Sequence, residues 1–211
     1  RLKSRKKSFW KKKNSGKRLL SCAKINNNMQ KVTKNILKEI YKKRPLESKK
    51  YDFGLLTVIG GSEFYSGSPA LSALAAFRAG VDMVRIIAPK RAADIIASFS
   101  PNLAAYPLEG NWLDKKHSAT LISMVESAKA VSNGNTAVVI GGGAGRSEET
   151  QEVIREFLAQ VSVPTVIDAD AIHALANNSG VVEGNPFLIT PHAYEFFVLT
   201  GREVIGKSDE E

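Results

Sequence analysis

Four short segments carry the residue types from which a ligand site could be built, and each follows an apolar run. Two of them, 60–69 and 141–146, are rich in glycine. Glycine lets a backbone approach a ligand closely, and a helix that starts nearby presents free N–H groups to an anion such as phosphate. Either segment could also be an ordinary turn between a strand and a helix, so neither one alone identifies a phosphate site.

The other two segments add polar side chains. Asp168 and Asp170 flank one alanine, and two carboxylates at a strand end suit magnesium-bound water or ribose hydroxyls. Asp170 could instead simply cap the next helix. His192 follows Pro191 at the start of a helix, where its imidazole can face the same pocket.

The remaining histidines, His117 and His173, lack such a position and are interpreted as surface or packing residues. The three histidines and the single Cys22 show no metal-ligand spacing, so no side chain is predicted to bind a metal directly.

These segments need a scaffold that brings them together, and the pattern between them predicts one. Short β-rich apolar runs alternate with helical segments from residue 51 to about 200, which indicates an α/β fold with a mainly parallel sheet and helices on both faces. Strands are predicted at 55–59, 83–88, 136–140, 165–167 and 187–189. Ligands of such sheets bind at the carboxyl ends of strands, where all four segments fall.

Capping residues set the predicted helix boundaries. A short helix is expected to start at Thr33, and a longer one is expected to be capped by Ser68 and to stop at Gly80. Further helices are predicted near 91–97, 117–128, 147–160, 171–176 and 193–197. The stretch before Asp114 is expected to be irregular.

Charge separates a basic amino-terminal part from an acidic body. Residues 1–50 hold 19 of the 30 lysines and arginines and two acidic residues, whereas residues 51–211 hold 11 basic and 19 acidic residues. An acidic body should repel nucleic-acid phosphates, so nucleic acid is not expected as a partner. No apolar run approaches the roughly 18 residues of a membrane span, and one cysteine fits a reducing compartment, so a cytoplasmic protein without a membrane partner is expected.

The sequence therefore predicts three parts: a basic, disordered extension at 1–28, a helix and linker at 29–50, and an enzyme domain at 51–211. The extension could be a nucleic-acid arm, an anionic-membrane patch, an organelle transit peptide or a segment upstream of the native start.

Taken in order, the four segments resemble the ADP-dependent NAD(P)H-hydrate dehydratases, a branch of the ribokinase-like superfamily. The similarity covers about residues 32–205, and the ordered set is far more specific than any one run. The matching runs are 44–45, 49–54, 58–62, 65–71, 75–80, 139–146, 166–171, 188–192 and 195–196. The chain departs from the family at Gly67-Ser68-Pro69, usually Gly-Ala-Pro or Gly-Ala-Ala, and at Gly141-Gly142-Gly143, usually Gly-Pro-Gly.

The resemblance implies a ribokinase-like fold and a hydro-lyase that dehydrates the S-epimer of hydrated NADH or NADPH, with ADP (or ATP) and Mg²⁺ as cofactors. It assigns substrate binding to Gly67, Ser68, Pro69, Gly143 and His192. Asp168 and Asp170 are assigned to the nucleotide or to metal-bound water. The alternative is a ribokinase-like kinase for a sugar or a hydroxymethylpyrimidine.

The family's Lys-Gly segment and Gly-Thr-Gly-Asp loop have no counterpart before Glu211. The aspartate of that loop is the base the resemblance implies, so the catalytic residue is expected beyond Glu211. The domain is accordingly expected to be incomplete at its carboxyl end and the isolated chain to be inactive. An NAD(P)H-hydrate epimerase domain or protein is a candidate partner, and a homo-oligomer is expected.

Overall fold

The computed structural model describes residues 33–41 and 43–204, and the extension predicted at 1–28 lies outside them. The chain divides into two compact units, 1–45 and 46–211. In the first unit, helix α1 (Ile36–Ile40) is shorter than expected. The prediction that Thr33 caps it is wrong, because the cap position is Asn35 and the Thr33 hydroxyl accepts the N–H of Asn35.

One parallel sheet forms the centre of the second unit. Its strands, within the described residues, are β1 (Leu55–Ile59), β2 (Met83–Pro89), β3 (Ala104–Leu108), β4 (Thr136–Ile140), β5 (Thr165–Ile167) and β6 (Phe187–Ile189). Their order is β3-β2-β1-β4-β5-β6, and every neighbouring pair is parallel. The five predicted strands and the parallel sheet are confirmed.

Strand β3 was not expected, since it lies in the stretch predicted to be irregular. It occupies an edge of the sheet, and Leu108 is its one buried residue. It also contains Pro107, which lacks the N–H that a central strand needs but is tolerated at an edge. The strand therefore lacks the β-branched residues that mark the other strands, and its proline is typical of a turn, so the sequence pattern did not predict it.

Helices connect the strands. They are α2 (Gly67–Arg78), α3 (Lys90–Phe99), α4 (Ser118–Val131), α5 (Glu148–Gln160), α6 (Asp170–Ala174) and α7 (Ala193–Thr200). Ser147 caps α5 by accepting the N–H of Thr150. The prediction that Ser68 caps α2 is wrong, because Ser68 lies inside the first turn and the cap position is Ser66. None of the helices described is long and apolar enough to cross a membrane.

Apolar side chains are buried on both faces of the sheet, as predicted. One core cluster contains Val58 of β1 with residues of α2 and α3, and the other contains Ile59 with residues of α4, α5 and α6. Neighbouring residues of a strand point to opposite faces, so these two side chains anchor one strand in both layers.

The strand order creates a crevice above the centre of the sheet. From β1 the chain proceeds outward to β3 on one side, and from β4 it proceeds outward to β6 on the other. The direction of winding therefore reverses between β1 and β4. Ligands of open parallel sheets bind at such a reversal, outside the carboxyl ends of the two strands.

We expect the Phe157→Ala substitution to lower the free energy of unfolding by about 3–5 kcal/mol. Phe157 is 0% exposed in the core beneath α5, so truncation leaves a cavity. Chemical denaturation followed by circular dichroism measures the change. The matched control is Phe99→Ala, at a side chain that is 53% exposed, and it should cost less than about 1 kcal/mol. Equal losses would contradict this account of the core.

Candidate functional site

The loops after β1 and β4 touch each other backbone to backbone. The N–H of Gly61 donates to the carbonyl of Gly142 at 2.9 Å. A Cβ atom at Gly60 would lie 2.5 Å from that same carbonyl oxygen, closer than any side chain tolerates. The glycine at position 60 is therefore required by close packing between the two loops.

The end of the second glycine loop is also tightly placed. Gly143 has a φ of +67°, and a Cβ there would lie 2.7 Å from the Cβ of Tyr65. A Cβ at Gly142 would overlap the hydroxyl of Ser68. Both glycine segments are thus fixed against each other, which disfavours a flexible turn at 141–146.

Asp170 holds the glycine loop from the neighbouring strand end. Its carboxylate accepts the N–H of Gly145 at 2.9 Å and the Nε–H of Arg146 at 2.6 Å, and its side chain is 15% exposed. It does not cap α6, whose cap position is Ala169 without a side-chain hydrogen bond. Asp170 therefore neutralises Arg146 and fixes the loop after β4.

The turn between the two aspartates is strained. Ala169 has φ +49° and ψ −120°, a conformation that costs a non-glycine residue about 1–3 kcal/mol. On its other side, Asp168 accepts the hydroxyl of Thr190 at 2.7 Å, which ties the end of β5 to the end of β6. Contacts on both sides hold this turn in place.

His192 lies at a strand end and a helix start, as predicted, but part of its ring is already engaged. Its Nδ1 accepts the N–H groups of Tyr194 and Glu195 at 3.2 and 3.3 Å, which caps α7. Glu195 in turn accepts the N–H of His192 at 3.0 Å. The proton of a neutral ring is therefore on Nε2, and the side chain is 64% exposed.

The other two histidines have different surroundings. His117 is buried, its Nδ1 accepts the N–H of Asp114, and its Nε2 lies 3.0 Å from the carbonyl of Glu109, so the packing interpretation is confirmed. His173, on α6, has a buried Nε2 for which no described residue provides a hydrogen-bond partner. Burial, and secondly the charge of Arg146, lower the pKa of His173.

A cleft of about 870 Å³ opens at the crevice between β1 and β4. Of the predicted site residues, it brings together Ser68, Gly143 and Asp170. The others do not line it: Gly67, Pro69, Asp168 and His192. Its remaining lining includes residues that sequence reasoning did not single out: Gly110, Asn111, Trp112, Asp114, Lys116 and Glu149.

The unexpected wall of the cleft is the segment that follows β3. The carbonyl of Asn111 accepts the N–H of Glu63 at 2.8 Å, and the rings of Phe64 and Trp112 lie 5.6 Å apart. A Cβ at Gly145 would lie 2.6 Å from Trp112, so the indole also packs on the second glycine loop. Recognising β3 would have placed this segment at a strand end with the others.

Both cations that line the cleft are paired with carboxylates. Arg146 contacts Asp170, and Lys116 lies 2.9 Å from Asp114. Burial alone would raise the pKa of Asp114, but its hydrogen bonds to Lys116 and the nearby His117 outweigh that effect and lower the pKa. Asp114 is therefore ionised at neutral pH, and its negative charge offsets the positive charge of Lys116.

Comparison with known families and proteins gives a consistent result. The family described as NAD(P)H-hydrate dehydratase matches residues 56–211. The chain is 45% identical over 162 residues to the bifunctional NAD(P)H-hydrate repair enzyme Nnr of Pyrobaculum aerophilum, covering 76% of this chain and 30% of that protein. It is 32% identical over 170 residues to the ATP-dependent (S)-NAD(P)H-hydrate dehydratase of Phaeosphaeria nodorum, covering 77% of this chain and 52% of that protein.

Solved structures share the fold. A ribokinase-like superfamily protein from Enterococcus faecalis superimposes with a TM-score of 0.65 at 23% identity, over 81% of this chain and 56% of that chain. The ADP/ATP-dependent NAD(P)H-hydrate dehydratase of Bacillus subtilis, co-crystallised with ATP and Mg²⁺, gives 0.61 at 24% identity, over 82% and 56%. The predicted ribokinase-like fold is confirmed, and the chain spans about a third to a half of the curated relatives described above.

We expect the Gly60→Ala substitution to lower the free energy of unfolding by about 1–3 kcal/mol, because the new methyl group forces the two glycine loops apart. Denaturant unfolding measures the loss. The matched control is Gly180→Ala, where a Cβ meets nothing within 4 Å, and its effect should stay within about 0.5 kcal/mol. A neutral Gly60→Ala variant would show that the loop contact is dispensable.

We expect stability to fall as the pH is lowered through and below about 6.5, the usual pKa of histidine, because unfolded His173 then takes up a proton that the folded state resists. The sign follows from the lowered pKa: the contribution is complete above the unfolded value and is lost as the pH falls towards the folded one. Unfolding at pH about 7.5 and about 5.5 should show a smaller acid loss for His173→Gln than for the unmodified chain. Identical acid losses would contradict this assignment.

Proposed function

The chain belongs to the NAD(P)H-hydrate dehydratase family. We propose that the protein dehydrates the S-epimer of hydrated NADH and NADPH in a reaction that depends on a nucleotide. The product is the intact reduced nicotinamide nucleotide, so the function is metabolite repair by a hydro-lyase. The observation that carries the proposal is the match over residues 56–211 together with a cleft at the reversal of strand order.

The cleft has suitable dimensions and chemistry for such a ligand. Its volume of about 870 Å³ falls within the roughly 300–1,000 Å³ typical of small-molecule sites. The first turn of α2, at Gly67-Ser68-Pro69, borders it, and Ser68 lines it directly. A helix start presents unpaired N–H groups and a partial positive charge, which favour a phosphate or another anion.

Each predicted binding residue has a role in this proposal. Ser68 and Gly143 line the cleft from the two loops and contact substrate there, while Tyr65 packs closely against Gly143 and fixes its position. Gly67 and Pro69 shape the helix start. His192 lies at the same edge of the sheet outside the cleft lining; its Nδ1 is held by the cap, and its Nε2 lies 3.4 Å from a carboxylate oxygen of Glu195, so a ligand would compete with that carboxylate for Nε2.

The nucleotide supplies a phosphoryl group, which converts the ring hydroxyl of the hydrated nicotinamide into a better leaving group than hydroxide. The residues of this chain contribute by holding the reacting hydroxyl in place and by excluding water, which is the main requirement of phosphoryl transfer. Elimination would then restore the ring double bond: the phosphate would leave with the C–O electrons, and the neighbouring ring carbon would transfer a proton to a general base.

The two aspartates fit a magnesium-dependent reaction to different degrees. Both oxygens of Asp170 already accept hydrogen bonds, from Gly145 and Arg146, so direct use of this carboxylate would release the glycine loop. Thr190 occupies only one oxygen of Asp168. Asp168 does not line the cleft itself, but its other oxygen has no hydrogen-bond partner among the described residues, so it is the better candidate to hold magnesium-bound water, as carboxylates do around nucleotide phosphates.

Nucleotide preference and partners are finer proposals. ADP or ATP is proposed as the nucleotide, because the Bacillus subtilis protein is named ADP/ATP-dependent and the Phaeosphaeria relative is named ATP-dependent, whereas the name of the bifunctional Pyrobaculum enzyme states no nucleotide. The name of that bifunctional enzyme supports a second repair activity, such as an epimerase, as partner. A cytoplasmic location, a homo-oligomeric state, a base beyond Glu211 and inactivity of the isolated chain stay predictions.

We expect the whole protein to restore reduced-nicotinamide absorbance from the S-epimer of hydrated NADH when ADP (or ATP) and Mg²⁺ are added. Absorbance at the reduced-nicotinamide band follows the reaction. The Gly143→Ala variant should lower kcat/KM by roughly 100-fold, because its Cβ displaces Tyr65 and moves the cleft wall.

Gly180→Ala is the matched control for this assay, since it adds the same methyl group in open space away from the cleft. It should leave the rate unchanged. Absence of any recovery, together with phosphorylation of a sugar or a hydroxymethylpyrimidine, would overturn the proposal in favour of a ribokinase-like kinase.

A further inference from the structure

We propose that Trp112 is a ligand-binding residue whose indole ring stacks on an adenine ring bound in the cleft. The inference rests on the proposed function for the kind of ligand, a nucleotide. It goes beyond that function because it assigns a binding role to a residue outside the four ligand segments.

Trp112 forms part of the cleft wall and is held there before any ligand arrives. It is half-buried, packs on Gly145 of the second glycine loop, and lies 5.6 Å from Phe64 of the first. Contacts on two sides restrict the indole, so little conformational freedom remains to be lost on binding. A preorganised ring binds more tightly than one that the ligand must order.

The chemistry of Trp112 suits a flat aromatic ligand. Within the described residues its indole N–H has no hydrogen-bond partner, and the side chain lines the cleft, so an aromatic ring and an unused donor are both present in the cleft wall. Tyr65 and Leu113 add apolar surface nearby. Aromatic side chains bind nucleobases by stacking with little dependence on sequence, because every base has a π-face.

Of the two ring systems in a hydrated nicotinamide dinucleotide, adenine is the one that is flat enough to stack on Trp112. Hydration adds a hydroxyl to the nicotinamide ring and removes a ring double bond, so the ring has tetrahedral carbons and no continuous flat face. Adenine stays planar and aromatic through the whole reaction. A stacked adenine therefore anchors the ligand while the nicotinamide end reacts.

The same side of the cleft is less suited to binding phosphate than to binding a base. Lys116 and Arg146 are each paired with an aspartate, and Glu149 adds an unfavourable negative charge to the lining. Exposed ion pairs contribute little and are screened by salt. The free feature of this wall is the aromatic ring, which points to the base rather than the phosphates.

Fluorescence of the chain tests the stacking directly. The sequence has two tryptophans, so a Trp10→Phe background leaves Trp112 as the one emitter. We expect AMP and NADH to quench its emission, and NADH also to show sensitised nicotinamide emission. The reduced mononucleotide of nicotinamide, which lacks adenine, should have little effect. Quenching by that mononucleotide alone, or by none of the three probes, would overturn the proposal.

A competition experiment distinguishes whether the stacked adenine belongs to the dinucleotide or to the separate nucleotide. NADH is titrated in the presence of saturating ADP, and sensitised emission is recorded. If energy transfer from Trp112 persists, the stacked adenine belongs to the dinucleotide, whereas if it disappears, the site belongs to the separate nucleotide. Either outcome supports stacking on Trp112.

Substitutions then separate stacking from packing. Trp112→Leu should raise the Kd for AMP by about tenfold in isothermal calorimetry, whereas Trp112→Phe, which keeps an aromatic face, should raise it less. Phe64→Leu is the matched control, because Phe64 contacts Trp112 but does not line the cleft. Equal losses from Trp112→Leu and Phe64→Leu would show a packing effect and overturn the proposal.

The binding measurements on Trp112 and the dehydration assay can fail independently of each other. If the protein fails to dehydrate hydrated NADH but AMP still quenches Trp112, the proposed function falls and the adenine platform stands. If dehydration proceeds and the Trp112 variants bind AMP normally, only the adenine platform falls.

Discussion

The backbone contact between Gly60 and the carbonyl of Gly142 governs the shape of the whole site. These two residues follow β1 and β4, adjacent strands at the point where the winding direction reverses. A crevice is expected above any such pair, but its floor depends on how closely the two loops approach. Here they meet without side chains between them, so the walls formed by α2, by 141–146 and by the segment after β3 converge on one cleft.

Ion pairs and hydrogen bonds hold the loops of the cleft in place, and they leave each of its two cations paired with a carboxylate. The carboxylate of Asp170 accepts hydrogen bonds from Arg146 and from the N–H of Gly145, and Asp114 forms an ion pair with Lys116. The contacts on both sides of Ala169 stabilise its strained backbone conformation. The cleft thus combines closely packed loops, two cations that are each paired with an aspartate, and an aromatic wall, a combination better suited to positioning a bound ligand than to attracting an anion from solution.

Periodicity and capping residues predicted five of the six strands described, the parallel sheet, the layers of helices and the position of the four ligand segments. They failed where local signal is weak. Strand β3 is a half-exposed edge strand with Pro107, and Ser68 lies within the first turn of α2 although it has the side chain of a cap. Neither failure changes the family, because the ordered motifs identify it without these details.

The sequence by itself determined which chemical groups stand at the ends of β1, β4, β5 and β6, since glycines, aspartates and a histidine after apolar runs are local features. Tertiary structure decided how these groups are used. Asp170 is occupied by Arg146, His192 shares its ring with a helix cap, and Trp112 becomes a wall of the cleft. The physical reason is that pairing and burial depend on residues that are distant along the chain and meet only when the sheet forms.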